Sequence, residues 1–147
     1  MATARSDLTT VGTRIRTATE QLADVASPRH DAERLVAHVL DVTWSDLWSR
    51  TDDELSPDVA RAIDGAIDRR ASGEPLGYIL GSAVFYGYEI ECGPGVLVPR
   101  PETETLVDVG LRLIADIAEP VVVDIGCGSG AIAIAIAKKA PHARVIA

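Results

Sequence analysis

Residues Val121–Ala147 read VVVDIGCGSGAIAIAIAKKAPHARVIA, and the order of residue types in this stretch decides the fold. Three β-branched residues lead into Asp124, glycines follow at positions 126, 128 and 130, and a run of Ala and Ile comes after them. A short apolar run closed by glycines reads as a buried strand, and the Ala/Ile run after it as a helix. With a second strand starting near Val145, the order is that of the first βαβ unit of an α/β sheet. Where a parallel strand turns sharply into a helix, Gly126, Gly128 and Gly130 remove side chains at the place a ligand would approach. The helix beginning near Ser129 aims unpaired N–H groups at that space, which favours a carboxylate or a phosphate. Asp124 puts a carboxylate at the end of an apolar strand, where it needs donors, and the N–H groups of the glycine turn are the nearest expected ones.

Upstream, Leu106, Val109, Leu113 and Ile117 recur at helical spacing between Thr103 and Ile117, and Pro120 breaks the pattern before the strand. The segment YILGSAVFYGYEIECGPGVLVP, Tyr78–Pro99, is aromatic, β-branched and punctuated by glycines, as a hairpin with an extended lead-out would be. Before Gly73 the chain reads as helices. Val11, Ile15, Ala18, Leu22 and Val25 form one stripe. Ser27 and Pro28 offer a cap and first position for a second helix, TWSDLWSR a short third capped by Thr43, and Ser56-Pro57 the start of a fourth that ends at Gly73. The expected organisation is an all-α domain over 1–73, a β-hairpin linker over 74–100, and the beginning of an α/β domain over 101–147.

Composition narrows the partners. The chain has 147 residues, 47% of them hydrophobic, and a formal net charge of −8 with no block of Lys and Arg, so a core is expected and a basic groove for nucleic acid is not. Cys92 and Cys127 form no CxxC pair, which suggests neither a disulfide framework nor a zinc site and fits a reducing cytoplasm. MATARSDLTTVGTRIR lacks the apolar core of a signal peptide, and no stretch approaches a membrane span in length. His30, His38 and His142 have no metal-site spacing, so no metal is expected. Trp44 and Trp48, one helical turn apart, are expected to pack in the small helical core, with a docking patch for a protein partner as the alternative.

Two ligand classes suit the glycine turn. Gly126-x-Gly128-x-x-Ala131 satisfies the loose form of a nicotinamide-dinucleotide site, but that form alone is weak, and the acidic residue that would bind a ribose is expected about twenty residues further on, past Ala147. A turn that closes the unit without any ligand is the bland alternative. Asp124 together with Gly130 gives D-x-G-x-G-x-G, an order that resembles motif I of class I S-adenosylmethionine-dependent methyltransferases.

Over nearly the whole chain, RRASGEPLGYILGSAVFYGYEI, VLVPRPETETLV, DIGCGSGAIAIAIA and SPRHDAERLVAHVL together resemble the HemK-type release-factor glutamine methyltransferases. Arg69, Arg70, Gly73, Glu74, Pro75, Tyr78, Ile79, Gly81, Phe85 and Gly87 carry the first part of that pattern, and Pro99–Glu104 the second. The resemblance implies a helical substrate-recognition domain, a linking hairpin and a Rossmann-like methyltransferase domain that is incomplete here. It implies S-adenosyl-L-methionine as cofactor and, as substrate, the glutamine of the Gly-Gly-Gln motif in class 1 peptide chain release factors. It further implies that Gly126, Cys127, Gly128, Ser129 and Gly130 line the cofactor site, that Asp124 fixes the turn, and that Arg100, Glu102 and Thr103 form a wall. For those three, a salt bridge and a helix cap from Thr103 are the structural alternative. Cys127 is not expected to be a nucleophile, since methyl transfer from a sulfonium needs none. The family's Asn-Pro-Pro-Tyr segment, which holds the substrate amide, is absent from these residues, so no catalytic residue is expected and the chain reads as an inactive N-terminal part. A non-catalytic helical binding module is the alternative from another class.

Overall fold

The computed structural model describes residues 9–147, which form two compact units that divide between Leu80 and Gly81. The reading of the first sixteen residues as free of a signal-like core falls partly on residues 1–8, which lie outside the described residues.

The first unit is helical. Its helices are α1 (Val11–Gln21), α2 (Pro28–Val39), α3 (Trp44–Leu47), continued by a 3-10 turn over Trp48–Arg50, α4 (Pro57–Ala71) and α5 (Leu76–Leu80). Val11, Leu35, Val36, Leu47 and Ile63 are fully buried and knit these helices into one core, with the rest of the α1 stripe beside them. Thr10, Thr43 and Ser56 cap their helices by accepting the N–H of Thr13, Asp46 and Val59. Ser27 does not: its side chain makes no capping bond, and α2 starts instead on the preset φ of Pro28. The unit extends past Gly73 because α5 packs against α2 and α4, so Tyr78–Leu80, expected to open the hairpin, are helical.

Gly73 ends α4 in a Schellman motif. Its φ is +97°, its N–H donates to Arg70 O at 3.0 Å, and the N–H of Glu74 donates to Arg69 O at 3.1 Å. This turn folds Glu74 back onto Arg69, whose Nε and Nη2 reach the two carboxylate oxygens at 2.8 and 2.5 Å. Arg70 meanwhile donates from Nε to Asp31 Oδ2 at 2.8 Å, joining α4 to α2 at a carboxylate that is 6% exposed. The Arg69 hydrogen bond holds the Glu74 carboxyl below its ordinary range. A depressed carboxyl adds stability above the unfolded-state pKa and loses it as pH falls through the folded one. Acid titration of the helical unit should therefore reveal a small loss below the ordinary glutamate range that vanishes in Glu74→Gln.

The second unit starts with an antiparallel hairpin, β1 (Ser82–Phe85) and β2 (Tyr88–Glu91), joined by the tight turn Tyr86-Gly87. A 3-10 turn over Pro101–Thr103 leads into α6 (Glu104–Ile114), followed by β3 (Val121–Val123), α7 (Ala131–Lys139) and β4 (Arg144–Ile146). β3 and β4 are parallel, with Val122 opposite Val145. Their connection is α7, as the opening stretch of sequence requires. Phe85, Ile90, Val107, Ala131, Ala135 and Ile136 form the core, with Val122 and Val145 packed against it.

Alternation along β3 turns Val121 and Val123 to the other face, where they are 61% and 58% exposed. The stripe that marked α6 in the sequence, Leu106, Val109, Leu113 and Ile117, also faces outward; Val107, Leu111 and Ile114 pack inward instead. Helical spacing identified the helix, but two apolar faces share it.

Candidate functional site

The glycine turn joins β3 to α7. The Asp124 N–H extends the ladder by donating to Ile146 O at 2.8 Å, and the chain then leaves the sheet. Gly126, Gly128 and Gly130 have φ of +76°, +56° and +75°, while Cys127 and Ser129 between them do not have positive φ. Alternating signs of φ turn successive N–H groups toward one side and make an anion-binding concavity. Gly130 N–H donates to Cys127 O at 2.8 Å and closes the turn. The N–H groups of Gly126, Cys127, Gly128 and Ser129 meet no acceptor among the described residues.

A Cβ placed on Gly126 or Gly128 would meet nothing within 4 Å. Neighbouring protein atoms therefore do not demand glycine at these two positions. The backbone conformation does, together with whatever fills the open space.

Asp124 departs from expectation. Its Oδ2 is buried and has no hydrogen-bond partner among the described residues, so the turn's N–H groups do not satisfy it. A buried carboxylate oxygen left in this state costs about 1–3 kcal/mol or more. It is an acceptor held ready next to a row of unused donors.

The second expected wall, Arg100–Thr103, runs into α6. Both structural alternatives fail there: Thr103 makes no side-chain capping bond, and neither Arg100 nor Glu102 forms an ion pair among the described residues. Arg100 and Glu102 are exposed and uncommitted. The next residue, Glu104, carries part of the family pattern but was not expected as a site residue, yet it accepts the N–H of Tyr86 on Oε1 at 2.7 Å. Beyond that match, its signal was an acidic residue in the first turn of a helix, which the dipole alone would explain.

In the helical unit the tryptophans do not fill the core. Trp44 and Trp48 are 47% and 46% exposed. The Trp44 indole N–H donates to Glu33 Oε2 at 3.0 Å, a carboxylate that also accepts from Arg29 Nε at 2.7 Å, and the Arg29 guanidinium lies 5.3 Å from the Trp48 ring centroid. An open groove of about 370 Å³ runs beside Trp48, between Ile15, Arg16, Thr19 and Arg29. Among the described residues no group of three or more His, Cys, Asp or Glu could hold a metal, and no helix is long and apolar enough to cross a membrane.

Comparison with known proteins meets this geometry from the other side. Residues 14–81 match the family model described as the PrmC N-terminal domain. The chain is 47% identical over 116 residues to the release factor glutamine methyltransferase of Burkholderia pseudomallei, covering 78% of this chain and 40% of that protein. It is 43% identical over 132 residues to the protein of the same name from Streptomyces coelicolor, covering 87% and 46%. With that of Mycolicibacterium smegmatis it shares 42% identity over 143 residues, 92% and 49%. The chain spans about half the length of the curated relatives it matches. Through the domain at 14–81 and the similarity that continues along most of the remaining residues, the chain is similar to the release factor glutamine methyltransferases.

Proposed function

We propose that this chain is part of a cytoplasmic protein-glutamine N-methyltransferase that uses S-adenosyl-L-methionine to methylate the Gly-Gly-Gln glutamine of class 1 release factors. The observation that carries the reading is the glycine turn, with three positive φ values, unused N–H groups and open space where side chains would stand. The β3–α7–β4 unit would be the start of a Rossmann-like domain, and the N–H groups of Gly126, Cys127, Gly128 and Ser129, with Gly130 shaping the turn, would receive the cofactor's carboxylate. Asp124 Oδ2 would accept from the adjacent ammonium, relieving its burial. Arg100, Glu102 and Thr103 would supply a wall. When bound, the cofactor supplies a methyl group on a sulfonium sulfur, electrophilic enough for direct displacement without an enzyme nucleophile, so Cys127 serves here as a small side chain.

The protein's share of catalysis in this reading is positioning: these residues fix the cofactor and exclude water. The names of the relatives support methyl transfer over nicotinamide chemistry. A chain extended to the relatives' length should transfer labelled methyl from S-adenosylmethionine to a release factor, and not to one whose Gly-Gly-Gln glutamine is changed to alanine. Labelling that survives that change, or a hydride transfer to a nicotinamide in its place, would overturn the assignment.

The described strands wall only the carboxylate end of such a ligand, leaving adenine and ribose little surface to bury. Calorimetry on residues 1–147 should therefore give no saturable S-adenosylmethionine binding in the micromolar range. Tight binding would place most of the pocket within the glycine turn and Arg100–Thr103.

The helical unit is proposed to recognise the release factor at the groove beside Trp48, since a half-exposed aromatic stacked under an arginine suits a protein partner. Adding release factor should shift tryptophan emission in the wild type and much less in Trp48→Ala.

A further inference from the structure

Tyr86 occupies the first position of the hairpin turn with φ +51°, a conformation rare for a residue with a bulky side chain. In such a turn its N–H points away from the ladder and needs an acceptor elsewhere. Glu104 Oε1 provides it at 2.7 Å, from the first turn of α6. One helical turn on, Asp108 Oδ1 accepts the Tyr86 hydroxyl at 2.6 Å. From the end of α7, Lys139 Nζ lies 5.6 Å from the Tyr86 ring centroid and 5.7 Å from that of Tyr88. The hairpin turn is thus tied at three points, and the tie nearest the candidate site is Glu104, bonded in sequence to Thr103.

Nothing else among the described residues anchors the side chains of Arg100 and Glu102, and Thr103 does not cap α6. The placement of Arg100–Thr103 therefore depends on how α6 begins, and α6 begins at the residue gripping the hairpin. We propose that Glu104 is a positioning residue of the candidate cofactor site, holding the Arg100–Thr103 turn in place by accepting the Tyr86 N–H. This rests on the reading of Arg100–Thr103 as a wall of that site.

The bond needs an acceptor oxygen and not a charge, which separates two variants. Glu104→Gln keeps a carbonyl oxygen within reach of Tyr86 N–H, whereas Glu104→Ala removes it. In ¹⁵N spectra of residues 1–147, Glu104→Ala should raise the exchange rate of the Tyr86 amide by about tenfold, as expected for loss of a hydrogen bond. It should also shift and broaden the Arg100, Glu102 and Thr103 amides, and Glu104→Gln should restore most of both effects. In a chain extended to the relatives' length, the alanine variant should weaken S-adenosylmethionine binding by about tenfold and the glutamine variant by far less.

If Glu104→Ala changes only residues 85–88, or merely lowers the unfolding temperature while Arg100–Thr103 keep their wild-type signals, the proposal is overturned. If those amides respond as expected but the extended wild-type chain binds no S-adenosylmethionine, Glu104 still positions the segment while its assignment to a cofactor site fails, together with the function on which it rests.

Discussion

Phe85→Ala is expected to unfold the second unit at a denaturant concentration where the helical unit remains folded. Phe85 is the largest fully buried side chain in the described chain, 1% exposed, and its neighbours in the core include the small side chains of Ala131 and Ala135. Removing a buried phenylalanine ring costs about 3–5 kcal/mol, because the lost transfer energy is joined by a cavity that its surroundings only partly fill. Small domains have total stabilities toward the low end of about 5–15 kcal/mol, so that loss removes most of the margin. Each unit has its own core, and both tryptophans of the chain, Trp44 and Trp48, belong to the helical unit. Tryptophan emission therefore reports the first unit alone, while exchange of the Asp124 and Arg144 amides, which donate across the β3–β4 ladder, reports the second. In Phe85→Ala the emission midpoint should stay at its wild-type value as exchange at these two amides accelerates. Leu35→Ala, in the helical core, should do the reverse. A single transition in both reporters for either variant would mean that the two cores unfold as one.

The sequence exposed some levels of this structure and concealed others for identifiable reasons. The βαβ unit was legible because Val121–Val123, the alternate glycines and the Ala/Ile run each have one structural use, and those uses follow in the right order. Helix starts were legible where a Ser or Thr preceded a helical stripe, as at Thr43 and Ser56; Ser27 misled because proline can start a helix without a side-chain cap. The tryptophans misled because aromatic spacing says that two rings share a face and not whether the face is covered. Contacts between distant residues had no local signal at all. Glu104 and Tyr86 lie eighteen positions apart, and Arg70 and Asp31 thirty-nine, and neither pair could be matched without the fold. For the glycine turn, the positive φ values were foreseeable from residue type. The unsatisfied Asp124 Oδ2 was not, because the same sequence would equally have allowed the turn's N–H groups to satisfy it.

Gly128→Val should weaken S-adenosylmethionine binding far more than it destabilises the protein, and the gap between the two effects tests the proposed site. At φ +56° a β-branched residue is strained by about 1–3 kcal/mol. No clash at Cβ is added, because a Cβ on Gly128 meets no atom within 4 Å. The unfolding midpoint of the variant should therefore fall modestly. Binding faces a second penalty: the branched side chain occupies the space in front of the unused N–H groups, and any relief of φ turns at least one of them away from the concavity. Together these should lower affinity in a chain extended to the relatives' length by on the order of a hundredfold, or about 2.7 kcal/mol. Gly73→Val is the matched control. Its φ is +97°, its Cβ would also meet nothing within 4 Å, and it lies in the helical unit, so it carries backbone strain without obstructing the glycine turn. It should lower stability to a similar degree and leave the cofactor dissociation constant unchanged. Equal losses of affinity in the two variants would trace the effect to stability, and unchanged affinity in Gly128→Val would remove the glycine turn from the cofactor site.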